Sequence, residues 1–245
     1  MNFKIIKIEN ENNLSLINNI FYNINVKIYR IENDINNFKL ITKPNLNKNE
    51  INNIKFIHIT KTAGTTIENI GKEHGYLWGM YDKDYLKNFN RNKYKLCSIW
   101  HVPMKYFEQN PYKDNILFTI VRNPYTRCVS EYYCPWSGNK SKDDCIKKFN
   151  IWIRNKLIQK DIVSFLPYYE YFEYNNKNII DYVLYFENLE KEFSNLFNIK
   201  LDRYDNQSQV IKKYDINDLE KETIRMINDK YRKDFELFKY KIIKI

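Results

Sequence analysis

A chain of 245 residues has room for one large α/β domain and is short for two. Hydrophobic residues at 43% supply a sizeable core, and an aromatic share of 16% excludes a disordered chain. The net charge of +10 points to a polyanionic partner (nucleic acid, an anionic membrane or an acidic glycan) or to a compositional surplus of Lys, Asn and Ile.

Residues 1–50 are rich in Asn, Ile and Lys and read as an N-terminal extension packed on a main domain spanning 51–245. Within them Val26 to Ile31 alternates weakly, like an edge strand. Pro44 to Asn53 reads as a polar linker. Ile54 to Ile59 is an apolar, β-branched run and predicts a buried strand, followed by a helix from near Thr65 toward Gly75. Leu96 to Trp100 predicts a second strand and Ile116 to Val121 a third, with a helix opening at Pro124, since proline suits the first turn. Asp143 to Gln159 is helical by the stripe Ile146, Phe149, Ile153 and Leu157. Tyr182 to Phe186 predicts a fourth strand and Asn188 to Phe197 another helix. A long C-terminal helix, capped by Asn217 or Asp218, would bury Leu219, Ile224, Ile227, Tyr231, Phe235 and Phe238. Strands alternating with helices give the fold class: α/β, a three-layer, P-loop-like domain whose central, mostly parallel sheet is flanked by helices.

No apolar run approaches the ~18 residues of a membrane span. Met1 to Lys7 is too short an apolar run for a signal peptide, so the chain reads as soluble and cytoplasmic by default. Of the four cysteines, Cys97 and Cys128 read as core thiols. Cys134 and Cys145 flank a polar loop and could pair in an oxidising compartment. No C-x-x-C or other ligand cluster marks a metal site. Three Asn-x-Ser triplets, at Asn13, Asn139 and Asn206, are expected by chance in so Asn-rich a chain.

Two strand-loop-helix segments carry the chemistry. In the first, Lys61-Thr62-Ala63-Gly64-Thr65-Thr66, small residues let the backbone approach an anion, the helix start offers N–H groups and hydroxyls, and Lys61 adds charge. Its lysine precedes Gly64, so the segment lacks the G-x-x-x-x-G-K spacing of a nucleoside-triphosphate loop. In the second, Arg122 closes a strand and Pro124 opens a helix that carries Ser130, so a guanidinium and a hydroxyl can meet one phosphate. Arg127 reads as structural, pairing with Glu131 or a carbonyl. Two anion sites in one domain suggest a nucleotide with a 3′-phosphate and group transfer from its 5′ end.

These segments resemble the sulfotransferases that use 3′-phosphoadenosine 5′-phosphosulfate (PAPS), most closely the carbohydrate-acting members such as the heparan sulfate 2-O- and 6-O-sulfotransferases. His58-Ile59-Thr60-Lys61-Thr62-Ala63-Gly64-Thr65-Thr66 resembles that family's 5′-phosphosulfate loop, and Val121 to Tyr133 its 3′-phosphate site. Asp181 to Glu190 and Tyr231 to Tyr240 continue the likeness, which covers about residues 54–240. The resemblance implies that Lys61 binds the 5′-phosphosulfate, that Thr62, Ala63, Gly64, Thr65 and Thr66 supply donors, and that Arg122 and Ser130 hold the 3′-phosphate. Asn206 and Ser208 fall where the family often has an Asn-x-Ser element, although its usual preceding His is Tyr204 here. It also implies PAPS as co-substrate, PAP as product, no metal, and a carbohydrate or glycan acceptor, polyanionic ones included; nucleic acid is not an expected partner. Family members that modify exported glycans keep the Golgi lumen open as a compartment.

Transfer to an alcohol needs an acceptor for the hydroxyl proton. Among three histidines, His101 follows a predicted strand at the end where open α/β sheets place their sites, and its segment resembles the one that carries the family base. His58 reads as a satisfied core residue, His74 as a surface one, and Glu68 and Glu131 as weaker candidates. Trp136, Tyr168, Tyr169 and Tyr171 could line an acceptor cleft or belong to the core. The competing readings are a non-catalytic basic glycan- or nucleic-acid-binding module and a nucleotide-dependent phosphotransferase.

Overall fold

The structure is a computed structural model that describes residues 29–31, 40–42, 52–83, 98–160, 162–202, 204–205 and 212–245. Its centre is a five-stranded sheet of β1 (Tyr29–Ile31), β2 (Leu40–Thr42), β3 (Ile54–Ile57), β4 (Ile116–Val121) and a later strand, Tyr182–Tyr185. A small antiparallel pair, β5 (Glu173–Tyr174) and β6 (Lys177–Asn178), precedes that strand, which is therefore β7. The sheet order is β2-β1-β7-β4-β3. β3, β4 and β7 run parallel, and β1 and β2 add an antiparallel margin. The expected edge strand at residues 26–31 is thus β1; β2 lies outside it, while residues 26–28 lie outside the described residues.

Alternation along the three parallel strands divides the core between two faces. Phe56, Phe118, Ile120, Tyr182 and Leu184 face one cluster, closed by Ile67 and Ile70 of α1 (Gly64–Glu73) and by Phe193 and Leu196 of α5 (Leu189–Phe197). Ile57, Leu117, Val121 and Val183 face the other, closed by Met104, Tyr168, Tyr171 of α4 (Tyr169–Phe172) and Phe238. A third cluster packs α2 (Pro124–Tyr132) and α3 (Ile146–Leu157) against the C-terminal helices through Tyr125, Phe149, Ile153, Ile227 and Phe235. The expected α/β class, helices flanking a mostly parallel sheet, is what the chain adopts.

Several boundaries differ from expectation for local reasons. Ile99–His101 is a 3₁₀ turn rather than the end of a strand: His101 N–H and Val102 N–H bond back to Ser98 and Ile99 carbonyls, leaving no ladder. Residues 96 and 97, with Cys97, lie outside the described residues. α3 begins only at Ile146 because Cys145 is extended, and Ile146 itself is exposed. The single C-terminal helix is three pieces: a 3₁₀ turn, Ile216–Asp218, capped by Asp215, then α6 (Lys221–Lys230) and α7 (Arg232–Phe238). Between the last two sits buried Tyr231, whose hydroxyl donates to Phe165 O at 3.0 Å. The six expected apolar positions of this region are all buried. Cys128, Cys134 and Cys145 are free thiols.

Candidate active site

The parallel register decides what meets at the carboxyl end of the sheet, where open α/β folds place ligands. Val121 pairs with Tyr185, so the next residues, Arg122 and Phe186, leave the sheet side by side. The Arg122 guanidinium stacks over the Phe186 ring at 4.1 Å. It donates from Nε to Thr126 Oγ1 at 3.0 Å and from Nη1 to the Lys61 carbonyl at 3.1 Å. Its backbone is fixed by Tyr168, whose hydroxyl donates to Arg122 O at 2.7 Å and accepts from Arg122 N–H at 3.1 Å. The two sequence motifs therefore touch. Burial pulls the Arg122 guanidinium down from its usual range.

The loop from Lys61 to Gly64 is built from unusual backbone. Lys61 at φ 65° and Ala63 at φ 70° both occupy the left-handed region. Ala63 is the N-cap of α1 and gives no side-chain cap, and the first turn of α1 carries no acidic residue. The orphan N–H groups at that helix start are the ones an anion would take. Thr62, buried, donates its hydroxyl to Ile59 O at 2.7 Å, so what it offers a ligand is its N–H. Thr66, also buried, accepts from Asp205 N–H at 2.7 Å, and Asn69 donates to Asp205 Oδ2 at 2.9 Å. Both contacts tie α1 to the segment preceding Asn206 and Ser208, which lie outside the described residues. Thr65 is half-buried at the helix start, and Ser130 is half-buried on the second turn of α2.

Gly64 does more than let the loop close. A Cβ there would lie 2.1 Å from His58 Cδ2 and Nε2, so the histidine ring occupies the space a side chain would need. His58 is buried and its Nδ1 lies 2.6 Å from Glu68 Oε1. The His101 ring packs edge-on against that of His58, centroids 4.3 Å apart. His101 Nδ1 lies 3.3 Å from His58 O. Burial first, then the neighbouring His58 and Lys61, hold His101 well below the usual histidine range, so its ring is neutral near pH 7.

Arg127 has the structural place expected of it, on carbonyls rather than on Glu131. Nη1 donates to Leu166 O at 2.7 Å and Nε to Thr60 O at 3.3 Å, under the Tyr168 ring. Glu131 is buried and takes the Ser137 hydroxyl instead, and Glu68 is buried against His58. Tyr168 and Tyr171 are core residues, Tyr169 is half-buried, and Trp136 is 83% exposed. His74 is exposed at the end of α1.

Lys212 is a residue the sequence does not advertise. Burial, Arg122 and Lys61 together lower it below the usual lysine range, placing a third cation by the first two. In sequence it is one of a Lys212-Lys213 pair that reads as surface charge. A cavity of about 510 Å³ opens beyond Phe186, lined by Glu187, Leu189, Ser194 and Tyr204.

The sulfotransferase family model matches residues 44–241, well over half of the chain. The chain belongs to the sulfotransferase family. Comparison with curated proteins and with solved structures gave no match. The protein is therefore an enzyme of sulfuryl transfer, and the co-substrate of its family is PAPS. Among the described residues of this sulfotransferase no helix is long and apolar enough to cross a membrane.

Proposed function

We propose that this sulfotransferase moves the sulfuryl group of PAPS to a hydroxyl of a carbohydrate acceptor. The observation that carries the reading is the convergence of three groups: Arg122 bonds the Lys61 carbonyl, and His101 sits against His58, three residues before Lys61. Thr62, Ala63, Gly64, Thr65 and Thr66 present the start of α1, and Lys61 adds the charge that a phosphate leaving group requires. Arg122 and Ser130 hold the 3′-phosphate, with Lys212 as a further cation. The extension at 1–50, packed on the 51–245 domain, belongs to the same reading.

The donor supplies the sulfuryl group. An acceptor oxygen forms the new S–O bond as the bond from sulfur to the phosphate oxygen breaks, and PAP leaves. Neutral His101 takes the hydroxyl proton, and Lys61 with the loop N–H groups balances the charge that builds on the leaving phosphate. Loss of one such donor costs roughly 10²–10³-fold in rate. The substrate class rests on the likeness of the two loops to carbohydrate-acting members and on the basic balance of the chain, which suits acidic glycans.

The test is transfer of labelled sulfate from PAPS to a panel of glycans by wild type, Lys61→Ala and His101→Ala, with PAP affinity measured for each. Transfer by wild type and its loss in both variants is expected. Unchanged transfer in both removes the site assignment. Transfer to small phenols or tyrosine peptides alone replaces the substrate class, and a glycan- or nucleic-acid affinity that is indifferent to Lys61→Ala, without transfer, leaves a binding module.

A further inference from the structure

Glu68 is a buried acid outside the reacting groups, and its surroundings are built around it. Its Oε1 accepts the Met80 N–H at 3.2 Å and lies 2.6 Å from His58 Nδ1. Gly79 makes room for it: a Cβ there would fall 1.6 Å from Glu68 Oε1. Its other oxygen, Oε2, is buried without a hydrogen-bond partner in the structure. A carboxylate oxygen only accepts, so with Glu68 as a carboxylate the His58 contact is one in which Nδ1 carries the proton. The ring of His58 is thereby locked, with its other edge on Gly64 at the mouth of the loop and near-perpendicular to the ring of His101.

His101 is held in the same way, one step further out. Its Nδ1 has the His58 carbonyl as partner, and a carbonyl only accepts. That contact fixes Nδ1–H and leaves Nε2 with the lone pair. We propose that Glu68 and His58 are positioning residues for His101, Glu68 orienting the His58 ring and His58 setting the tautomer in which Nε2 is the basic nitrogen. This rests on the reading of His101 as the proton acceptor. The titratable groups facing His101 are His58, at the end of β3, and Lys61, in the loop, with Glu68 of α1 behind His58. The pair also offers a reason for two of the glycines: Gly64 admits His58 and Gly79 admits Glu68.

The decisive measurement needs no acceptor and no variant. Long-range ¹H–¹⁵N correlation on wild type with ¹⁵N-labelled histidine is expected to show His101 as the Nδ1–H tautomer with bare Nε2 at neutral pH; an Nε2–H tautomer overturns the proposal. In His58→Gln the backbone carbonyl stays but the neighbouring ring goes, and the His101 midpoint is expected to rise. The acid limb of the transfer rate should move upward with it, because activity requires the neutral ring. An unmoved midpoint also overturns the proposal. If His101→Ala retains transfer while the wild-type tautomer is as stated, the base assignment fails and the positioning geometry stands.

Discussion

Arg122 Nη1 donates to the carbonyl of Lys61 at 3.1 Å, so a side chain from the end of β4 closes on the loop that follows β3. The contact arises from adjacency of two parallel strands, not from any property of either loop alone. Under the proposed reading it gives Arg122 two duties, holding the first loop in shape and meeting an anion. The planar guanidinium is suited to both, because its donors point in fixed and separate directions while its face stacks on Phe186.

Arg122→Lys keeps the charge and discards that geometry. A lysine cannot donate to Thr126, bond Lys61 O and stack on Phe186 at once. Charge-assisted hydrogen bonds are worth about 1.5–3 kcal/mol each, so PAP affinity should fall by about 10- to 100-fold. Titration calorimetry with PAP checks this. Affinity within about twofold of wild type would mean that Arg122 serves the fold alone.

Gly64→Ala and Gly75→Ala separate space from backbone strain. At Gly64 the new methyl lands on the His58 ring, and displacing it should cost about 1–3 kcal/mol and disturb the loop. At Gly75 nothing lies near the new methyl and the cost is that of φ 85° alone, about 1–2 kcal/mol. Urea unfolding reads both stabilities. PAP affinity should fall only in the Gly64 variant, since His58, Gly64 and the start of α1 move together there.

Ala63→Gly tests the strained loop from the other side. A left-handed alanine costs roughly 1–2 kcal/mol, against about 0.5–1 kcal/mol of extra chain entropy lost by glycine on folding. The variant should be more stable by about 0.5 kcal/mol, a rise of one to a few degrees in Tm. Its PAP affinity should stay near that of wild type if rigidity at Ala63 is incidental, and should weaken if the strained backbone preorganises the N–H groups.

The parts of the fold that were readable in the sequence are those with short-range causes. Ile116 to Val121 is apolar but for Thr119, whose hydroxyl is satisfied on Ile57 O, because both of its faces are covered, and Pro124 starts α2 because its missing N–H costs nothing there. The loop after β3 was readable from its small residues and its lysine. What was hidden depends on the chain meeting itself. Ile99 and Trp100 look like strand residues, yet they lie in a turn closed by His101 N–H on Ser98 O and Val102 N–H on Ile99 O. The break at Tyr231 keeps the apolar spacing of a continuous helix, so no periodicity marks it. His58 reads as a core residue and is one, but its meaning comes from Glu68 and His101, which reach it from α1 and from a turn some forty residues away. Lys212 joins Lys61 and Arg122 only after folding.

Glu192 carries the clearest pH prediction. It lies on α5, buried, and its Oε2 accepts the Tyr185 N–H at 2.6 Å at the end of β7, close to where Phe186 meets Arg122. Burial pushes its carboxyl up to about 7 from an ordinary 4.5, with the nearby Glu187 adding to the rise. Between those two values the folded protein keeps a proton that the unfolded chain has released. The resulting stabilisation is whole below the unfolded value and is lost as pH rises through the folded one. Glu192→Gln keeps an oxygen to accept from Tyr185 but cannot ionise. It should leave stability near pH 5 almost unchanged and exceed wild type by about 1–2 kcal/mol near pH 8.5, within the ceiling of about 3 kcal/mol set by the shift. Urea unfolding at the two pH values decides it: parallel pH profiles for wild type and variant would place the titration elsewhere, whereas a flattened profile in the variant assigns it to this one carboxyl beneath the end of β7.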